Sequence, residues 1–189
     1  MDDSNILADD IVETLLFALE LRNSESAQHG RRVADLCIRI GKGLELSERE
    51  LTVLRRGALL HDIGRIGIPD RILNKNDALS DDEWEVIRRH PENGARLLKK
   101  IPSMVEVIPI IAFHHERWDG MGYPARLKGD KIPLLARICA VAEVYDSLLN
   151  EQVYRKAWPR GKALMMIEQE SLKSFDALVV KTLVRQLDA

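Results

Sequence analysis

Cysteine is scarce in this chain of 189 residues: Cys37 and Cys139 are the only two, and each sits inside an apolar stretch. Their spacing matches no thiolate metal motif, so a structural Cys-type zinc site is excluded. They read as small core residues of a protein kept in a reducing compartment. Long hydrophobic runs are missing too. No segment approaches the ~18 apolar residues of a membrane span, and the acidic start MDDSN does not read as a secretory leader. Basic charge is not in excess, with 28 Lys and Arg against 30 Asp and Glu for a formal net of −2. A protein that coats DNA or RNA through phosphate contacts carries a clear basic surplus, so a nucleic-acid polymer is disfavoured as partner. Internal repeats and low-complexity linkers are lacking as well. These absences describe a soluble, cytoplasmic protein. What is present, 46% hydrophobic and 31% charged residues, suffices for one domain with its own core and is too short for two of full size.

Helical periodicity dominates. Leu7, Ile11, Leu15 and Leu19 recur every four residues, with Val12 and Leu16 widening the stripe, and predict an amphipathic helix over the first twenty residues. Such a helix can pack on its own domain or on a second copy, as a homodimer. Val33, Leu36, Cys37 and Ile40 form a second stripe that Gly41 or Gly43 can end. Ser47 with Glu50, and Ser80 with Glu83, have the capping-box spacing that opens a helix. Gly64 to Leu79 and Trp118 to Pro133 are rich in Gly, Pro, Asp and Lys and predict loops. Val105 to Phe113 is apolar and partly β-branched, but Ile108, Ile111 and His115 share a helical face, which favours helix despite Pro109. Helical patterns return at Leu134 to Leu149, Lys162 to Glu170 and Asp176 to Leu187. The expected architecture is all-α. Trp84 and Trp158 are expected to anchor helix packing. Arg88-Arg89 and Lys99-Lys100 are expected to be solvated helix faces, and Met165 and Met166 to lie on a core or dimer face.

There are only five histidines, His29, His61, His90, His114 and His115. His61 precedes Asp62 at the end of an apolar helix, just before a glycine-rich turn. His114 and His115 are adjacent at a helix end, about 100° apart around the axis, so they can reach two different ions or two sides of one cluster. Glu25 lies one helical turn before His29. Glu143 and Asp146 stand three apart on an otherwise apolar helix, where buried carboxylates need partners and metals are common ones. Imidazoles mixed with carboxylates suit Fe, Mn or Zn. Several such ligands with open positions fit a hydrolytic cluster, in which two metals about 3.5–4 Å apart clamp a phosphoryl group. From the residues alone this predicts a helical, metal-dependent phosphohydrolase.

The strings HDIGRIGIPD, from His61, and HHERWDGMGYP, from His114, resemble those of the HD-GYP family, cyclic-di-GMP phosphodiesterases of the HD superfamily of metal hydrolases. The resemblance runs from Leu15 to Val180 and includes RNSESAQHGRRVA, RRHPENGARLL and AVAEVYDSLLNEQVYR. It implies a single HD-type helical bundle over residues 1–189, either a whole protein or one domain of a longer multidomain protein, with a metal cluster between helices and a GYP loop. It also implies two or three divalent ions, iron or manganese. By the family pattern the metal ligands are His29, His61, Asp62, His90, His114, His115 and Glu143. Asp62 bridges the ions, Glu25 serves a third ion, and Glu143 stands where the family has Asp. Asp146 and Arg65, the latter in place of the family's Lys, would lie at the substrate phosphate with catalytic roles. Arg155, Gly122 and Tyr123 would also contact substrate. Gln152 and Val153 replace an Arg-Pro pair, and Met121 replaces a common Ser. The implied reaction hydrolyses cyclic-di-GMP to pGpG, GMP or both. The GYP loop is linked in the family to GGDEF-domain partners. A hydrolase of another cyclic dinucleotide, and a weakly catalytic nucleotide-binding or GGDEF-interacting adaptor, are the competing readings.

Overall fold

A computed structural model describes residues 3–75, 77–151 and 156–188. Among the described residues there are ten α-helices: α1 (Asp3–Arg22), α2 (Ser24–Gly43), α3 (Glu48–Leu60), α4 (Asp70–Leu73), α5 (Asp81–Ile87), α6 (His90–Leu98), α7 (Ile108–Phe113), α8 (Leu134–Leu149), α9 (Arg160–Gln169) and α10 (Ala177–Asp188). Three 3₁₀ turns, Ile63–Gly67, Pro102–Val107 and Gly129–Lys131, join them. Among the described residues the sole β-type pairing is a bridge between Ser171 and Phe175, so the all-α expectation holds. None of the described helices is long and apolar enough to cross a membrane.

Local chemistry explains most boundaries. Ser47 accepts from the Glu50 amide while Glu50 reaches back to the Ser47 amide, and Ser80 and Glu83 do the same, so both capping boxes form as the spacing predicts. Asn23 caps α2 by accepting from the Ser26 amide, a start the apolar stripe gave no sign of. Pro109 sits in the first turn of α7, where its missing N–H leaves no bond unmade. The segment from Gly64 to Leu79 departs from the loop expectation: it holds a 3₁₀ turn and the four-residue α4. Its glycines and proline hid two short helical pieces too brief to show periodicity.

α2 is the central helix, packed on α1, α3, α8 and α10. Val33, Ala34, Cys37 and Ile40 of α2 meet Leu54, Ala58 and Leu60 of α3 and Ile138, Val141 and Ala142 of α8 in one buried cluster. Cys37 and Cys139 are both free thiols inside it. The stripe on α1 is rotated from its predicted position. Ala8, Val12, Leu16 and Leu19 are the residues fully covered, whereas Leu7 is exposed along with Ile6, Phe17 and Leu21. Apolar residues surround α1, and the neighbours on only one side decide which of them are buried. Trp158 packs partly on the core as expected, but Trp84 is 42% exposed and anchors nothing fully. Met166 leans on the core while Met165 is exposed.

Candidate metal centre

Helix ends deliver the histidines. His61 caps the C-terminus of α3, His90 opens α6, and His114 and His115 follow the last turn of α7, while His29 comes from the first half of α2. Three of the rings are aimed in the same way. The Nδ1–H of His61 donates to the Ala58 carbonyl at 2.7 Å, that of His90 to Ile87 at 2.8 Å and that of His114 to Ile111 at 2.9 Å. Each carbonyl lies three residues back on the same chain, so the backbone itself selects the tautomer and turns Nε2 inward. His29 differs. Its Nδ1–H donates to a side chain, Asp146 Oδ2, at 2.7 Å.

The inward-facing atoms make two groups. His90, His114 and His115 offer ligand atoms within 4.8 Å of one another, and so do His29, His61 and Glu143. Asp62 lies between the groups, with Oδ1 3.3 Å from His90 Nε2 and Oδ2 3.6 Å from His61 Nε2. Glu143 also looks across, 3.8 Å from His115 Nε2. Glu is one methylene longer than the family's Asp and still reaches the His29–His61 side.

A divalent ion fits this donor set. Among the described residues, buried His61 Nε2, both Asp62 oxygens and Glu143 Oε2 have no hydrogen-bond partner, which is costly unless a cation satisfies them. His90 Nε2 and His114 Nε2 face each other at 3.2 Å. With both protons committed at Nδ1 to carbonyls, two lone pairs meet there, an arrangement that a cation between them resolves. Burial pushes His61 down to about 4 and holds His90, His114 and His115 below the ordinary imidazole range, so these rings are neutral ligands near pH 7. Burial works to raise Asp62, but the positive charges about it, that of Arg65 foremost, hold it well below the usual carboxylate range. Arg65 Nε lies 2.8 Å from Asp62 Oδ1 and pairs with it as an ion pair.

Glu143 is pushed up to about 8, first by burial and then by the Asp62 charge. In metal-free protein its stabilising effect is therefore complete below its unfolded value near 4.5 and is lost as pH rises through about 8. Glu143→Gln should raise the melting temperature of metal-free protein at pH 8.5 by an amount worth a few kcal/mol, and hardly at pH 4.5. With metal added, the same variant should melt lower than the unaltered protein. Thermal melts at both pH values, with and without chelator, check the reversal of sign.

Other expected site residues fall elsewhere. The Glu25 carboxylate is turned to solvent and to Arg32, 3.0 Å from its Nη2, and joins neither ligand group. Asp146 stands behind His29, with both oxygens occupied by His29 and Arg32. Arg155, Gln152 and Val153 lie outside the described residues. Gly122 is buried, and a Cβ there would come within 2.4 Å of the Arg117 amide and 2.6 Å of the His115 carbonyl. There the backbone approaches backbone closely, while in the same loop Gly120 takes a positive φ, at 83°.

Tyr123 stacks on His115 with ring centroids 4.8 Å apart, and burial holds its hydroxyl protonated well above the usual phenol range. Trp118 instead packs under Arg137. Three contributors escaped the sequence reading. Glu116, buried directly after the histidine pair, holds the loop by accepting from the Ala125 amide at 2.7 Å and the Leu127 amide at 3.0 Å. Arg88, exposed as expected, also leans over Tyr123, 5.9 Å from the ring centroid. Arg32 fastens Asp146. Arg32 lies three residues after His29 on the same helical face, while Arg88 and Glu116 stand inside the strings RRHPENGARLL and HHERWDGMGYP.

Residues 13–179 match the model of the HD domain family. The chain is 39% identical over 170 residues to the cyclic di-GMP phosphodiesterase response regulator RpfG of Xanthomonas campestris pv. campestris, covering 89% of this chain and 45% of that protein. It is 34% identical over 190 residues to 3′3′-cGAMP-specific phosphodiesterase 2 of Vibrio cholerae, covering 100% of this chain and 36% of that protein. The chain thus spans less than half the length of these curated relatives. Among solved structures, an HD-GYP-type protein from Bdellovibrio bacteriovorus superposes with a TM-score of 0.73 at 21% identity, covering 98% of this chain and 64% of that one, a likeness of fold.

Proposed function

The chain belongs to the HD domain family, and from that membership we propose that residues 1–189 form one catalytic domain hydrolysing cyclic-di-GMP to pGpG, GMP or both. The observation that carries this reading is the pair of ligand groups, His29–His61–Glu143 and His90–His114–His115, with Asp62 between them and its oxygens lacking hydrogen-bond partners. Each group would hold one ion; the donors suit Fe, Mn or Zn, and the family resemblance favours iron or manganese. Bound there, divalent ions supply an ionised water near neutral pH and positive charge for the phosphoryl oxygens.

The residues around the ions do the rest. Arg65, partly exposed beside Asp62, offers a guanidinium to the non-bridging oxygens as charge builds on them. Tyr123 keeps its proton and so acts as donor or stacking face, never as base. Arg88 adds a second cation at the same mouth. Asp146 acts through His29 rather than on the substrate. Arg155 remains the proposed basic contact to the nucleotide from the adjoining segment. The exposed Met121 tip is the proposed contact for a GGDEF-domain protein, and the exposed Ile6, Leu7, Phe17 and Leu21 of α1 for a second copy. Buried, free Cys37 and Cys139 accord with the cytoplasm as its compartment.

The test is a single anaerobic preparation incubated with cyclic-di-GMP, with and without Fe(II) or Mn(II), its products separated by chromatography. Metal-dependent pGpG or GMP is expected. Loaded protein that leaves cyclic-di-GMP intact but cleaves 3′3′-cGAMP would transfer the assignment to the mixed dinucleotide. Loaded protein that cleaves neither would make the domain a binding module.

A further inference from the structure

The two ligand groups are built differently. On one side, the rings of His90 and His114 are aimed by carbonyls of their own chain, Ile87 and Ile111. Backbone of this kind cannot be lost by changing a side chain. On the other side, His61 is fixed in the same manner by Ala58, but His29 depends on Asp146, which is itself a side chain. Asp146 in turn is held by Arg32, whose Nε donates to Oδ1 at 3.0 Å and Oδ2 at 3.1 Å. The far end of the same guanidinium, Nη2, donates to Glu25 Oε1 at 3.0 Å. Glu25, Arg32, Asp146 and His29 thus form one chain of charge-assisted contacts running from solvent to the centre, joining α2 to α8.

That chain has consequences for which residues touch an ion. Arg32 is the only cation on the Asp146 carboxylate among the ion pairs of the described residues apart from His29 itself. Without Arg32, one Asp146 oxygen loses its donor in a nearly dry position, and the carboxylate is free to turn. The His29 ring would turn with it, and a ligand misplaced by a few tenths of an ångström binds less tightly. Glu25, meanwhile, is spent on Arg32. Its side chain is 60% exposed and it stands apart from both ligand groups. To serve an ion it would have to release the guanidinium that positions His29.

We propose that Arg32 is the positioning residue for the His29 ligand, and that Glu25 anchors Arg32 instead of binding an ion, so the centre holds two unequal ions. The ion at His29–His61–Glu143 depends on Arg32, and the ion at His90–His114–His115 does not. This rests on the metal-centre reading above, and the experiment separates the two. Arg32 is one-third exposed, so its truncation opens no core cavity.

The full chain, stripped by chelator, is titrated anaerobically with Co(II), whose visible bands report each site, alongside Arg32→Ala, Arg32→Lys and Glu25→Gln. The unaltered chain should take up two ions. Arg32→Ala should hold the first with unchanged affinity and the second about 10–100-fold more weakly, the usual cost of losing a partner behind a metal-bound histidine. Arg32→Lys keeps the charge but not the fork and should recover part of the loss. It carries the test alone if the alanine variant does not fold. Glu25→Gln should still take up two ions, the second weakened less than about 10-fold. Equal affinity for both ions in the Arg32 variants, or equal weakening of both, overturns the proposal. So does a third ion that Glu25→Gln abolishes. A chain that takes up no Co(II) at all overturns the metal-centre reading itself.

Discussion

Asp62→Asn should abolish hydrolysis, by about 10³-fold or more, while leaving the helices intact. The substitution preserves shape and removes only charge. The two oxygens of Asp62 face imidazoles of both ligand groups, at 3.3 and 3.6 Å. An amide presents one oxygen and one NH₂, and the latter would point a donor at a neutral nitrogen or an ion. Both ions should therefore weaken together, in contrast to the selective loss expected at Arg32. The fall should exceed the 10–100-fold typical of residues that only support a ligand. Metal analysis and a rate measurement on the same sample check it, with circular dichroism to show that the fold survives. Two ions retained at full affinity would remove Asp62 from the bridging position.

Gly64→Ala should be the most destabilising single-methyl change in the region. A Cβ on Gly64 would stand 1.9 Å from the His90 carbonyl oxygen and 2.6 Å from the Gly94 amide. Both obstacles are backbone, so no rotamer change relieves them, and α6 would have to move away from the 3₁₀ turn that follows Asp62. The expected loss is about 3 kcal/mol or more, which for a chain of this size lowers the melting temperature by roughly 6–12 °C. Moving α6 also draws His90 from Asp62, so metal uptake should fall with stability. Gly67→Ala is the control within the same turn, because its Cβ would meet only Asn93 Nδ2 at 3.7 Å. It should melt within about 2 °C of the unaltered chain. Equal melting of the two variants would show that the approach of α6 to this turn is looser than the structure has it.

These two positions also show how far the sequence could be read. Capping chemistry and 3.6-residue periodicity are local, and they located α3, α5, α8 and the cap residues Ser47 and Ser80 without reference to any neighbour. Periodicity failed where neighbours decide. On α1 it marked Leu7 as buried, although apolar residues ring the whole helix and only the side against α2 and α3 is covered. It failed also where an element is shorter than a few turns, as for α4. The histidines and Asp62 stood out because five imidazoles, two of them adjacent, are hard to spend on packing.

The sequence by itself determined an all-α chain and offered a set of candidate donors, because propensity, caps and residue chemistry travel with the chain. Tertiary structure alone decided how those donors are shared. It placed Asp62 between two groups whose members come from different helices, set Asp146 behind His29, and gave Glu25 to Arg32. It also buried Gly122 against His115 and brought Arg88 over Tyr123. The physical reason is common to all of these. A carboxylate or guanidinium can serve any of several partners within reach of its side chain, and the packing of α2 against α8, and of α6 against the turn after His61, settles which partner is within reach.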